Sequence, residues 1–205
     1  MQTSHKLLGI FILTSGLFFM ASTMTTPAEA SEQLLLVDKA RITIESFTTD
    51  PDLTWFRDHV KDAKGLLIVP QMLKGAFFVG GSGGRGVLVV HDEKTGKWSQ
   101  PAFYTLGGAS FGLQFGGQAS EVVLMVMSQK GIEALFTSSF KLGADVNVAV
   151  GPKGVGIEGS TAPNLSADYL SFARTKGAFA GISLEGAVIK TNDGWNEAYY
   201  GKPVR

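Results

Sequence analysis

Several stretches carry residue types at spacings that ligand binding or catalysis uses. Gly81-Ser82-Gly83-Gly84-Arg85-Gly86 fits the dinucleotide pattern G-x-G-x-x-G. That chemistry needs a helix behind the glycines, so that its N-terminus meets the pyrophosphate. Val87-Leu88-Val89-Val90 follows instead, which reads as a strand, so the glycines read as a hairpin loop. Gly108-Ala109-Ser110-Phe111-Gly112 and Gly80-Gly81-Ser82-Gly83-Gly84 both fit the nucleophile elbow G-x-S-x-G. An elbow needs a helix after the serine and a later histidine. No histidine follows His91, so Ser110 has no partner in that order and Ser82 has only His91. A triad in another order, using His59 or His91, has no further support in the sequence.

Metal chemistry is equally poorly served. Beyond the first thirty residues the chain has two histidines, and it has no cysteine, which argues against a transition-metal site. Asp145, Asn147 and Asp168 lack EF-hand spacing. Glu185 sits in an apolar stretch and reads as a structural carboxylate paired with Lys141 or Arg174. No enzyme, cofactor or metal is expected. The remaining chemistry is basic: Lys39 and Arg41, then Lys61 and Lys64, then Lys74 and Arg85. They read either as a solvated surface or as a headgroup-binding patch. Each cation near an anionic bilayer contributes about 1 kcal/mol, so three or four together give weak, salt-sensitive binding.

These residues need elements to position them. Leu7 to Met20 is an apolar run of about 14 residues after Lys6, short of the roughly 20 that span a bilayer. Ala28-Glu29-Ala30 completes a signal-peptidase site. Residues 1–30 are therefore expected to be a signal peptide, with the domain running from Ser31 to Arg205. Lys+Arg and Asp+Glu both number 18. Removing Lys6 and Glu29 keeps that balance, so no global field favours nucleic acid.

Ser31 to Thr48 reads as a helix whose Leu36, Val37, Ala40, Ile44 and Phe47 share one stripe, with Asp38, Arg41 and Glu45 opposite. Asp50-Pro51 starts a second helix carrying Leu53, Phe56, Val60 and Ala63. From Gly65 the period changes to two. Strands are expected at Gly65 to Pro70, Gly75 to Gly80 and Gly86 to His91, with Asp92 to Lys97 as a hairpin turn. Two more lie in Trp98 to Gly117, and Glu121 to Met127 reads as a central strand. Ser128 to Ser138 reads as a short helix with Ile132, Leu135 and Phe136 facing inward. Ala144 to Val150, Tyr169 to Arg174 and Phe179 to Ile189 read as further strands, and Gly151-Pro152-Lys153-Gly154 as a turn. Trp195, Tyr199 and Tyr200 close the chain with an aromatic cluster. The 26 glycines follow no collagen period and fit bends and close strand approaches. The expected fold class is α+β, mainly β: a compact antiparallel sheet or barrel-like core with two N-terminal helices and a short C-terminal helical segment.

From Gly65 onward the chain resembles the SYLF domain family, the lipid-binding module that in fungi also binds actin. The matching segments include Gly86-Val87-Leu88, Trp98 to Tyr104, Gly112 to Gly116, Phe140 to Gly143, Gly151-Pro152, Gly177 to Gly186 and Tyr199-Tyr200-Gly201. The resemblance implies binding to acidic phospholipids. In eukaryotic members a lysine-rich leading helix contributes to phosphoinositide binding; here Ser31 to Thr48 has only Lys39 and Arg41. The expected function is a non-catalytic phospholipid-binding domain of the bacterial, exported branch, in the periplasm or cell envelope and peripheral to the membrane. Lys39, Arg41, Lys64, Lys74 and Arg85 form its expected headgroup contacts. Actin binding is not expected of an exported protein. The alternative is a structural or protein-interaction module of the envelope.

Overall fold

The computed structural model describes residues 27–152, 166–175, 178–179 and 184–204. Residues 1–26 of the expected signal peptide lie outside the described residues, as do Lys153 and Gly154 of the expected turn. Helix α1 (Pro27–Thr49) comes first and contains the expected cleavage point at Ser31. The expected second helix is there in three short pieces: a 3-10 turn Pro51–Leu53, α2 (Thr54–His59) and a second 3-10 turn Val60–Asp62. The Asp50 side chain caps the first piece by accepting from the Asp52 N–H at 2.9 Å, and Pro51 fills a first-turn position that needs no donor.

Two long strands dominate the sheet, β1 (Gly65–Asp92) and β3 (Ala102–Val126), joined through the short β2 (Lys97–Trp98). They pair antiparallel along almost their whole length, from Gly65↔Val126 to Leu88↔Ala102. The separate strands and the glycine loop expected within 65–91 are thus one bent strand. The sequence misleads because proline and glycine usually end strands. Pro70 instead falls inside a register shift between Val69 and Met72, where its missing N–H costs no ladder bond. Gly84 and Gly86 lie where the two arms of β1 pass. A Cβ on Gly84 would stand 2.6 Å from the Gln71 carbonyl oxygen, and one on Gly86 3.1 Å from that of Ile68. At the base of the bend the His91 N–H donates to the Lys64 carbonyl at 2.8 Å. The turn between β1 and β2 is as expected, with Gly96 at φ +67°.

The remaining strands flank β3. At one end of β3 come β6 (Tyr169–Thr175), β5 (Val148–Val150) and β7 (Ala178–Phe179). At the other come β8 (Val188–Thr191) and β4 (Ser139–Lys141). Among the described strands the pairings are antiparallel except that of β5 with β6. Only the last three residues of the expected strand Ala144 to Val150 are extended; Val146 makes an isolated bridge to Leu142. α3 (Gln129–Leu135) buries Ile132 and Leu135 but leaves Phe136, expected inside, 69% exposed at its C-cap. α4 (Asp193–Tyr200) carries the terminal aromatics.

Period-two alternation explains why Leu66 to Val69 and Val122 to Val126 are apolar throughout: both faces of the sheet are covered. Leu67, Val69, Val122, Leu124 and Val126 pack beneath α3 with Phe140 and Ile189. Leu66, Ile68, Val123 and Met125 pack beneath α1 and α2 with Phe47 and Phe56.

Asp168 ties one end together. Its carboxylate accepts from the Ser128 hydroxyl and from the Asn147 N–H at 2.9 Å, while Ser128 caps α3 by accepting from the Gly131 N–H. Burial pushes this carboxyl up, but the Ser128 and Asn147 bonds and Lys130 at 3.7 Å outweigh it and hold it below its ordinary value.

Gly84→Ala is expected to cost about 2–3 kcal/mol in denaturant unfolding. Gly81→Ala, whose added Cβ meets nothing closer than 3.9 Å, is expected to stay within about 0.5 kcal/mol of the parent. Asp168→Ala is expected to cost roughly 2–3 kcal/mol. Since the folded carboxyl is the stronger acid, its contribution is complete above the unfolded value of about 3.9 and is lost as pH falls through the lower folded value. Acid titration of Asp168→Asn should therefore show a shallower loss of stability below about pH 4.

Candidate functional site

The catalytic readings fail on context. Gly81 to Gly86 pair in register with Ala109 to Tyr104, so the glycine pattern lies in a ladder and not before a helix. Ser110 pairs with Gly80 in the same ladder, which denies it the helix of an elbow; its side chain lies outside the described residues. The Ser82 hydroxyl donates to the Gly108 carbonyl. His59 stacks on Trp55 with ring centroids 4.1 Å apart, and its Nδ1 meets the Trp55 carbonyl at 2.8 Å. His91 stacks on Trp98 at 4.8 Å. Among the described residues no three His, Asp or Glu side chains stand close enough to hold a metal. Arg174 bonds Glu121 and Asp50.

The bend in β1 makes a different kind of site. It brings Pro70, Gln71 and Leu73 of one arm beside Gly83, Gly84 and Arg85 of the other, and α1 runs along them. The hollow between measures about 600 Å³, with Leu35 and Lys39 of α1 on one wall and Trp195 of α4 on another. A second hollow of about 420 Å³ continues along α1 past Ile42 and Thr43 to Glu121 and Arg174. The two share Lys39, Pro70 and Gln71.

Together they form a groove with apolar edges. Leu35, Ile42 and Leu73 are 54%, 57% and 54% exposed. Leu35, Lys39 and Ile42 follow i, i+4, i+7 spacing, one face of a helix. Ala40 and Phe47, about a third of a turn round the helix, are buried. α1 is thus apolar on two sides, one buried in the core and the other half exposed along the groove.

The five expected headgroup residues part company here. Lys39 and Arg85 share the groove, where the Arg85 guanidinium lies 4.4 Å from the Trp195 ring centre. Glu32 lines the same hollow and partly offsets them. Arg41 pairs with Glu45 at 2.8 Å, one turn along α1, and lines neither hollow. Lys64 pairs with Glu93, whose carboxyl that bond holds below the usual range. Lys74 stands exposed opposite Gln118 on the β1–β3 ribbon, outside both hollows.

Arg174 ends the groove, and its role is structural. Its Nε donates to Glu121 at 2.7 Å and its Nη2 to the Ser46 hydroxyl at 2.6 Å; Nη1 lies 3.8 Å from Asp50. The Thr43 hydroxyl donates to the other Glu121 oxygen at 3.3 Å. One guanidinium thus pins α1 and the turn after it to β3 and β6.

Sequence reasoning names Trp195 only as part of a terminal aromatic cluster and assigns no site role to it, to Leu73 or to the Leu35–Ile42 stripe. The signal for Leu35 and Ile42 was present, as apolar residues off the predicted buried stripe. Leu73 and Trp195 need the bend in β1 to be recognised.

Residues 107–205 match the family model Ysc84, described as Las17-binding protein actin regulator. SH3 domain-containing YSC84-like protein 1 of Homo sapiens is 33% identical over 147 residues, 71% of this chain and 42% of that protein. The Xenopus laevis protein of the same name is 30% identical over 170 residues, 80% of this chain and 50% of that protein. LAS seventeen-binding protein 3 of Saccharomyces cerevisiae (strain YJM789) is 32% identical over 147 residues, 70% of this chain and 32% of that protein. The chain spans half or less of the length of these relatives. The family description is that of a regulator, not of an enzyme. It also corrects the expectation that actin binding is absent. That expectation rested on an inferred compartment alone, and no residue of the fold argued for it.

Arg174→Gln is expected to cost about 3 kcal/mol by denaturant unfolding, because Glu121 keeps its half-buried charge without its partner. Lys39→Ala should change stability by less than about 0.5 kcal/mol.

Proposed function

The chain carries a domain of the Ysc84 (SYLF) family, and from that premise we propose that it is a non-catalytic module that lays the α1 groove on acidic phospholipid surfaces. The observation that carries this reading is the exposed stripe Leu35–Ile42 with Leu73 beside it, set around Lys39 and Arg85. Two cations supply about 1 kcal/mol each near an anionic surface. Sinking the exposed halves of three aliphatic side chains into the headgroup boundary supplies roughly 1 kcal/mol each. The apolar share is the larger, so the binding is only partly sensitive to salt. Among the described residues no helix is long and apolar enough to cross a membrane. The leader-like first thirty residues support an exported, envelope location.

A second reading, in which the groove meets a protein filament, is favoured by the family description as an actin regulator. Co-sedimentation separates the two. The purified chain is spun with neutral vesicles, with anionic vesicles and with actin filaments, at low and high salt. The lipid reading expects pelleting with anionic vesicles, about fivefold weaker for Lys39→Ala and about tenfold or more weaker for Leu35→Gln with Ile42→Gln. Pelleting with filaments alone, or vesicle binding that neither substitution changes, would overturn it.

A further inference from the structure

On the other face of the sheet lies a cavity of about 310 Å³ that the groove does not reach. Its walls are Leu88 and Val90 of β1, Ala102 of β3, and Ile132 and Leu135 of α3, with Phe136 also lining it. It is about twice the size of an apolar cavity of 150 Å³ that stays dry and holds a benzene ring.

Among the described residues three polar side chains line it, and each donates its proton within the protein. The Tyr104 hydroxyl donates to the Leu135 carbonyl at 2.7 Å. The Ser99 hydroxyl accepts from the Val90 N–H at 3.0 Å and donates to the Gln100 carbonyl at 2.9 Å. The Thr191 hydroxyl donates to the Thr137 carbonyl at 3.3 Å. Burial pushes the Tyr104 phenol up, so it remains a donor at neutral pH. Among the described residues no charged side chain lines the space.

Water needs two to four polar partners to be held, and here the three hydroxyl protons are already spent within the protein, which leaves acceptor lone pairs only. Sugars, nucleotides and amino acids would lose hydrogen bonds on entry that the walls cannot replace. What gains by entering is hydrocarbon. Phe136, at the C-cap of α3, is 69% exposed although it lines this cavity, so one of its faces meets the cavity while the rest meets solvent. An aromatic ring in that place can cover the emerging part of a chain whose end lies inside.

We propose that the cavity beneath Phe136 is a binding site for one unbranched hydrocarbon chain, of the fatty acyl class. The inference does not rest on the α1 groove, which lies across the sheet and uses other residues. A free fatty acid and the tail of a phospholipid share this chemistry, and the test separates them.

The purified chain is titrated by calorimetry with saturated fatty acids from octanoate to tetradecanoate. Single-chain phosphocholines of the same lengths form the second arm, and all are kept below their micelle-forming concentrations. Saturable one-to-one binding is expected, tightening about fourfold per added methylene until the cavity is full and then levelling off. Equal affinity in both arms assigns the site to a lipid tail; binding of the fatty acids alone assigns it to the free acid. Ala102→Phe and Val90→Phe fill the space and are expected to weaken dodecanoate binding by about tenfold or more. Phe136→Ser, a change at an exposed position, is expected to weaken it severalfold. All three should leave vesicle binding by the groove unchanged. No saturable binding in either arm, affinity that does not depend on chain length, or affinity unchanged in all three variants would overturn the proposal.

Discussion

At Gly84 there is no room for a side chain, because the other arm of the same strand occupies the space, with the Gln71 carbonyl and the Val69 side chain both under 3 Å from where a Cβ would stand. Much of the molecule depends on that passage. With its arms so close, β1 bends back on itself and still pairs with β3 on either side of the bend. β3 thereby gains two separate flanks, one for β6 and one for β8. The residues that crowd the passage, Pro70 and Gln71 on one arm and Gly83 to Arg85 on the other, are also floor and wall of the groove under α1. Fold and site thus share one steric constraint.

The groove's second wall is held by electrostatics. Arg174 reaches Glu121, Asp50 and Ser46 from a side chain that is 17% exposed, and its guanidinium lies 5.2 Å from the Phe47 ring centre. Such a charge is too committed to meet a headgroup: withdrawing it would strand Glu121 and cost more than one surface cation returns. Arg41 and Lys64, each with a carboxylate partner, are held more loosely, since exposed pairs contribute little. Lys39 has no ion-pair partner among the described residues and sits where both hollows meet. Charge count alone therefore misleads: position and prior commitment decide which cations can serve a ligand.

Much of this was legible in the sequence, and the rest had physical reasons not to be. Local signals sufficed for α1, the Asp50-Pro51 restart, the Gly96 turn, α3 and β6, because caps, turns and period two act over a few residues. The continuity of β1 was hidden because Pro70 and the glycines take their meaning from a bulge and from a contact with the other arm, both tertiary facts. Phe136 was placed inside because it extends the helical period of Ile132 and Leu135; yet α3 ends at Leu135, and the turn releases the ring to the surface. Of the five basic residues, two lie in the groove. Spacing along a chain does not report which lysine has a carboxylate facing it from another element, as Glu93 faces Lys64.

The two faces of the sheet now ask for different ligand chemistry. The groove under α1 offers charge, an aromatic ring and exposed aliphatic edges, and it is wide open; such a surface suits something broad, with polar and apolar parts side by side. The cavity under α3 is smaller, has its hydroxyls bonded within the protein and, among the described residues, has no charge to orient a headgroup. A broad surface pressed to α1 leaves the α3 face pointing away from it, since the sheet lies between them. The alternation that buries Leu66 and Ile68 on one side and Leu67 and Val69 on the other is what keeps the groove and the cavity apart: neighbouring residues of these strands serve opposite faces.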